Sequence, residues 1–121
     1  MQSAAQAYGK VAKEISSPRE LEASLLLKAA ARLQAVRDAW DQRSGELAEA
    51  LLYNRKLWSI FLTSVTRPEN PLPDLIRQNV ANLGLFVMNQ TISLTAEPKP
   101  EKLVPLININ RELAAGLQGR V

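Results

Sequence analysis

Four breaks rich in proline, glycine and small polar residues divide this chain into stretches that show only helical periodicity. The breaks are SSP at 16–18, DQRSG at 41–45, RPENPLP at 67–73 and EPKPEK at 97–102. Between them, apolar residues recur every three to four positions, and no stretch alternates as a half-buried strand would. The sequence therefore predicts an all-α fold, a compact bundle of four to five helices joined by short loops.

The first two predicted helices are separated by the break at 16–18. A short amphipathic helix is expected over about 4–15, with an apolar face of Ala4, Ala7, Tyr8, Val11 and Ile15. A second helix is expected over 18–40. Ser17 and Glu20 form a capping box at its start, and Pro18 suits the first helical position. Its predicted apolar stripe is Leu21, Leu25, Ala29, Leu33, Val36 and Trp40.

The third predicted helix, over 45–65 with Ser44 as its cap, is the most apolar. Its stripe is Leu47, Leu51, Trp58, Phe61 and Val65, and Tyr53, Leu57 and Ile60 widen it. A helix that is apolar over more than half its surface is typical of the centre of a fold. We therefore expect this helix to contact several others.

Two further helices are predicted, over 73–94 and from 100 or 101 to 117. The stripe of the fourth is Ile76, Val80, Leu83, Val87 and Leu94. Gly84 costs this helix about 1 kcal/mol relative to alanine, which a close approach of another helix would explain. Pro105 falls in the first turn of the last helix or marks its real start.

The length fits one domain. We predict a single helical domain over 1–121, with about three residues at the start and about four at the end expected to fray. No apolar stretch is long enough to span a bilayer and no secretory signal is present, so the expected location is the cytoplasm, without membrane association.

Composition argues against several classes of function. The chain contains no histidine and no cysteine, so thiolate nucleophiles, histidine acid–base chemistry and the commonest metal ligand are excluded. The acidic residues are scattered, and we predict neither an enzyme nor a cofactor, metal or small-molecule site. The net charge of +3 is spread along the chain, without the dense basic cluster that nucleic-acid binding requires.

Four blocks of this sequence resemble the FlaF family of flagellar biosynthesis regulators, small proteins of flagellated alphaproteobacteria. The blocks are PRELEASLLLKAAARLQAVRDAW, YNRKLWSIF, NPLPDLIRQNVANLGLFV and PKPEKLVPLININRELAAGL. They occur in the family's order and spacing, and the resemblance runs from about Ala4 to Leu117.

The resemblance implies a role in flagellin production and secretion. Proteins of this family are described as promoting flagellin synthesis or export beside a second regulator, FlbT. The leading interpretation is a chaperone-like protein that binds flagellin, whose terminal segments are amphipathic helices, in an apolar groove. The alternative is a post-transcriptional regulator that acts on flagellin mRNA or through FlbT without binding flagellin.

Several asparagines lie where a core helix would carry leucine. Asn54 and Asn110 fall on apolar stripes, and Asn79 lies beside one. Because a buried amide without a partner costs about 1–3 kcal/mol, we expect these amides to pair between helices and fix their register. Asn54 is predicted to bond to Asn110 or Asn79. The less favoured alternative is that some of these amides face a ligand.

Candidate partner-binding residues are apolar side chains near loops and charged neighbours. We place the flagellin groove between the third and fourth helices, around Trp58, Leu62, Leu72 and Phe86. Tryptophan is enriched in interface hot spots. The competing interpretation assigns Phe86 to the core and Leu72, between two prolines, to a hydrophobic staple on the next helix.

Overall fold

Helices account for most of residues 18–119, the part of the chain that the computed structural model describes. They are α1 (Pro18–Asp38), α2 (Trp40–Arg43), α3 (Leu47–Val65), α4 (Asp74–Ala96) and α5 (Val104–Leu117). Two 3-10 turns, Ser44–Glu46 and Pro100–Leu103, precede α3 and α5. The predicted all-α fold is confirmed. The predicted helix over 4–15 and the Ser17 cap lie outside the described residues.

The α1 helix is rich in alanine and leucine, which are the strongest helix formers. It packs most extensively on α5 and also contacts α3. Small side chains lie inside, with Ala23 and Ala29 fully buried beside Leu26. The predicted stripe is wrong at its first position, because Leu21 is 45% exposed and Leu26 takes the buried place.

The connection from α1 to α3 differs from the predicted break at 41–45. The chain turns at Ala39, with φ −123° and ψ 45°, and is then helical in α2 and the Ser44–Glu46 turn. No side chain caps α3, so the predicted Ser44 cap is wrong. The charged residues stabilise these turns, since Arg43 pairs with Glu46 at 2.7 Å.

The α3 helix is the centre of the fold, as predicted. It contacts α1 on one side and α4 on another, and its predicted stripe is entirely buried: Leu47, Leu51, Trp58, Phe61 and Val65. The stripe is narrower than expected on one flank. Ile60 is 66% exposed, because no helix within residues 18–119 covers that side of α3.

The α3–α4 hairpin depends on its loop and on one glycine. Asn70 accepts a hydrogen bond from the Leu72 backbone N–H at 3.0 Å and donates to the Ser64 carbonyl at 3.1 Å. A Cβ on Gly84 would lie 2.8 Å from Leu62 Cγ, which is closer than side chains pack. The predicted close approach at Gly84 is therefore present, and Leu62 is the residue that fills it.

The last helix packs chiefly on α1 and contacts α4 much less. Pro105 lies in its first turn, as predicted, where the missing N–H would have no intrahelical partner. The turn before α5 is fixed to α4, since Gln90 Nε2 donates to the Lys102 carbonyl at 2.9 Å. Thus α4 packs mainly on α3, while α5 packs mainly on α1.

Candidate functional site

Three buried side chains form a hydrogen-bonded chain between α3 and α5. Trp58 Nε1 donates to Asn110 Oδ1 at 2.9 Å, and Asn110 Nδ2 donates to Asn54 Oδ1 at 2.7 Å. All three residues are fully buried. The predicted pairing of Asn54 with Asn110 is present, together with an indole partner that the sequence analysis did not anticipate.

The orientation of both amides follows from the indole. A tryptophan N–H can only donate, so it must face the oxygen of Asn110. The Asn110 amide nitrogen is then directed at the oxygen of Asn54. Asn54 Nδ2 consequently has no hydrogen-bond acceptor among the described residues. Because the whole chain of contacts is enclosed, it fixes the register of α3 against α5 and does not face a ligand.

Asn79 does not belong to this buried set. It is exposed on α4, and the expectation that it pairs inside the core is wrong. The reason is that α5 packs on α1 rather than along α4. The side of α4 that carries Asn79 therefore has no helix opposite it among the described residues.

The four partner-binding candidates do not line one open surface. Trp58 is fully buried and bonded to Asn110, so it cannot contact a partner. Leu62 is partly buried at Gly84, and Leu72 packs partly buried against the core, as a staple would. Phe86 is 44% exposed, which contradicts its assignment to the core.

An apolar groove does lie between α3 and α4, one helical face away from the predicted position. It has a volume of about 760 Å³. Leu52 and Ile92 are its exposed apolar walls, at 39% and 67% exposure. The residues that line it are Ala48, Leu51, Leu52, Arg55, Met88, Thr91, Ile92, Thr95 and Ala96.

The two threonines of this groove behave as apolar residues. Thr91 Oγ1 donates to the Val87 carbonyl at 2.7 Å, and Thr95 Oγ1 donates to the Thr91 carbonyl at 2.9 Å. With the hydroxyls bound to their own helix, a partner in the groove meets no strong unpaired donor there. Arg55 supplies the positive charge of the lining.

The groove was not predicted from the sequence, because only one apolar stripe was assigned to the fourth helix. Leu85, Met88 and Ile92 form a second stripe at three- and four-residue spacing. A helix that packs on the core with only one face needs only one apolar stripe. This second stripe was the available signal.

No carboxyl group with a shifted pKa is among the residues that line the groove. A hydrogen bond from Gln34 lowers the pKa of Asp38, and one from Arg43 lowers the pKa of Glu46. Partial burial raises the pKa of Glu22 on α1. Residues 18–119 contain no cluster of three or more acidic side chains that could hold a metal ion.

Comparison with known families decides what kind of protein carries this groove. The sequence model of one protein family, described as flagellar protein FlaF, matches residues 4–117 of the chain. The chain belongs to the FlaF family. The FlaF family is a regulatory or structural family of flagellar proteins and not one of known enzymes. Comparisons with curated proteins and with solved structures give no significant match. Of the FlaF helices described, none has the length and apolarity to cross a membrane.

Proposed function

We propose that this FlaF protein binds flagellin and promotes its production and secretion, and that it holds an amphipathic flagellin helix in the α3–α4 groove. The observation that carries the proposal is the combination of an open apolar groove with a flagellar family. Exposed apolar side chains in one concave surface are typical of protein-binding sites. We further propose that binding takes place in the cytoplasm, before export.

The walls of the groove suit a helix with apolar anchors one turn apart. Leu52 on α3 and Ile92 on α4 project from opposite sides, and Met88 lies one turn before Ile92. A client helix with apolar residues at i, i+3 or i+4, and i+7 contacts both walls. Arg55 favours a client that carries a carboxylate beside its apolar stripe.

The affinity expected from this groove is moderate. The client must be ordered on binding, which offsets part of the gain from apolar burial. Such a complex releases flagellin readily to an export apparatus. No contact in this proposal requires Trp58, so the fully buried indole acts only on stability.

Isothermal titration with flagellin tests the proposal. The protein is titrated with full-length flagellin and with flagellins that lack either terminal segment. We expect binding to the full-length protein and loss with one of the two truncations. In Ile92→Ser, the affinity should fall by about tenfold or more, because burying an isoleucine side chain contributes about 1.5–3 kcal/mol.

Ile60→Ser is the matched control, since Ile60 is 66% exposed and Ile92 is 67% exposed. Ile60 lies on α3 outside the groove, and its variant should bind flagellin as the unchanged protein does. Equal losses in the two variants would place the site elsewhere. Absence of binding to any flagellin would overturn the proposal and leave action through FlbT or on flagellin mRNA.

A further inference from the structure

The positive charge of the α3–α4 groove lies at one end of it. The two helices run antiparallel, since a short loop joins them and Leu62 of α3 packs at Gly84 of α4. Arg55 is the last residue of α3 that lines the groove, and Met88 is the first residue of α4 that does so. These two residues therefore mark the end of the groove that is nearer to the loop between the helices.

The opposite end of the groove carries small side chains. Ala48 and Ala96 line it, and Ala48 lies about 10 Å along α3 from Arg55. The carboxylate of Glu97, which follows Ala96, is paired with Lys99 at 3.0 Å. The two ends of the groove thus differ in charge, and only the Arg55 end offers a cation to a client.

The Arg55 guanidinium has no charged partner within residues 18–119. The ion pairs of that part of the chain join other residues. The hydrogen bond at Arg55 uses its backbone carbonyl, which accepts from Ser59 Oγ at 2.9 Å. The guanidinium is also exposed beside the groove, so it can pair with a group on the client.

A client helix that fills the groove also covers part of the Arg55 side chain. Removing a charge from water without a partner costs free energy. A carboxylate on the client offsets this cost, because it can accept two hydrogen bonds from the planar guanidinium. A basic residue at the same place on the client is repelled. Arg55 therefore distinguishes between clients that have the same apolar stripe.

The lining also determines where the client must carry its carboxylate. Leu52 and Arg55 are three residues apart, so they are neighbours along the α3 wall. A client whose apolar anchors contact Leu52 and Ile92 meets Arg55 about one helical turn further along its own axis. A carboxylate elsewhere on the client, on the face that points to solvent, does not reach the guanidinium.

We infer that Arg55 is the specificity-determining residue of the groove, and that it selects an amphipathic helix with a carboxylate one turn beyond its apolar anchors. This inference rests on the proposed function, in which the groove holds a flagellin helix. The pair with Arg55 fixes the register of the client, since only one placement of the anchors brings the carboxylate to the charged end of the groove.

Two synthetic helical peptides of identical composition test this inference. Both carry the same apolar stripe. The first has a glutamate one turn beyond the stripe, and in the second this glutamate has exchanged places with a glutamine on the polar face. Because the peptides have equal net charge, both are attracted equally by the net charge of +3 of the protein. We expect the first peptide to bind about fivefold more tightly, measured by fluorescence anisotropy.

Two variants assign this preference to a residue. Arg55→Gln should bind the two peptides equally. Lys56→Gln is the matched control, because it removes the same charge from the neighbouring position of α3, outside the groove lining, and it should keep the preference. Equal affinities in the unchanged protein would overturn the inference, and so would a preference that survives Arg55→Gln.

A third variant separates failure of this inference from failure of the proposed function. Ile92→Ser should weaken the binding of both peptides, since it removes an apolar wall of the groove. If both peptides are weakened but bind equally well, the groove stands and the role of Arg55 is refuted. If Ile92→Ser changes neither affinity, the groove itself is refuted as the binding site. Binding of flagellin without binding of either peptide would overturn the inference alone.

Discussion

The helices α4 and α5 have similar apolar content but differ in how much of their apolar surface is buried. Of the ten large apolar residues that are exposed within residues 18–119, six lie on α4 and none on α5. The α5 helix packs extensively on α1 and is joined to α3 by two buried hydrogen bonds. The α4 helix is backed mainly by α3. The difference shows that α5 contributes mainly to the core, whereas α4 leaves much of its apolar surface exposed.

The largest loss of stability should come from removing the Asn110 amide, which bonds α5 to α3. Asn110→Ala leaves the Trp58 N–H and the Asn54 oxygen without their partners. We expect the free energy of unfolding to fall by about 3–5 kcal/mol, measured by denaturant titration. Asn79→Ala, on exposed α4, should change it by less than about 0.5 kcal/mol. Similar losses in the two variants would contradict the assigned difference between α4 and α5.

A smaller effect is expected where α4 rests on α3. Gly84→Ala and Gly116→Ala both gain helix propensity, but only the first places a Cβ against Leu62. We expect Gly84→Ala to be about 1–3 kcal/mol less stable than Gly116→Ala. In a Leu62→Ala background, this difference should disappear, which a double-mutant cycle measures. Persistence of the difference would mean that another neighbour limits the approach.

The smallest effect concerns the surface contact between α1 and α3. Tyr53→Leu removes the ring beneath Arg32 and Lys28. The expected loss of stability is about 0.5–1 kcal/mol, as for exposed cation–π pairs. Introduced after Arg32→Gln, the same substitution should cost less. A loss unchanged by Arg32→Gln would assign the role of Tyr53 to packing alone.

The sequence was sufficient for the features that depend on local rules. Helical periodicity predicted α1, α3, α4 and α5 to within a few residues, and the need of a buried amide for a partner predicted the bond between Asn54 and Asn110. Gly84 was also informative. Glycine lowers helix stability, and a close approach of another helix explains why it is present there.

The features that depend on which helices become neighbours could not be predicted in this way. Leu21, Ile60 and Phe86 lie on or beside apolar stripes and are nevertheless exposed. Their exposure depends on which helices become neighbours, and no local pattern specifies that choice. The groove at Leu52 and Ile92 results from the same choice of neighbours, so periodicity alone did not locate it.

The most direct test of the proposed flagellin-binding groove is methyl and indole NMR of this protein during titration with each flagellin terminal segment. We expect the methyl signals of Leu52, Met88 and Ile92 to shift, while the Trp58 indole N–H signal, buried against Asn110, stays in place. Shifts concentrated on α1 and α5, with the groove signals unchanged, would contradict it.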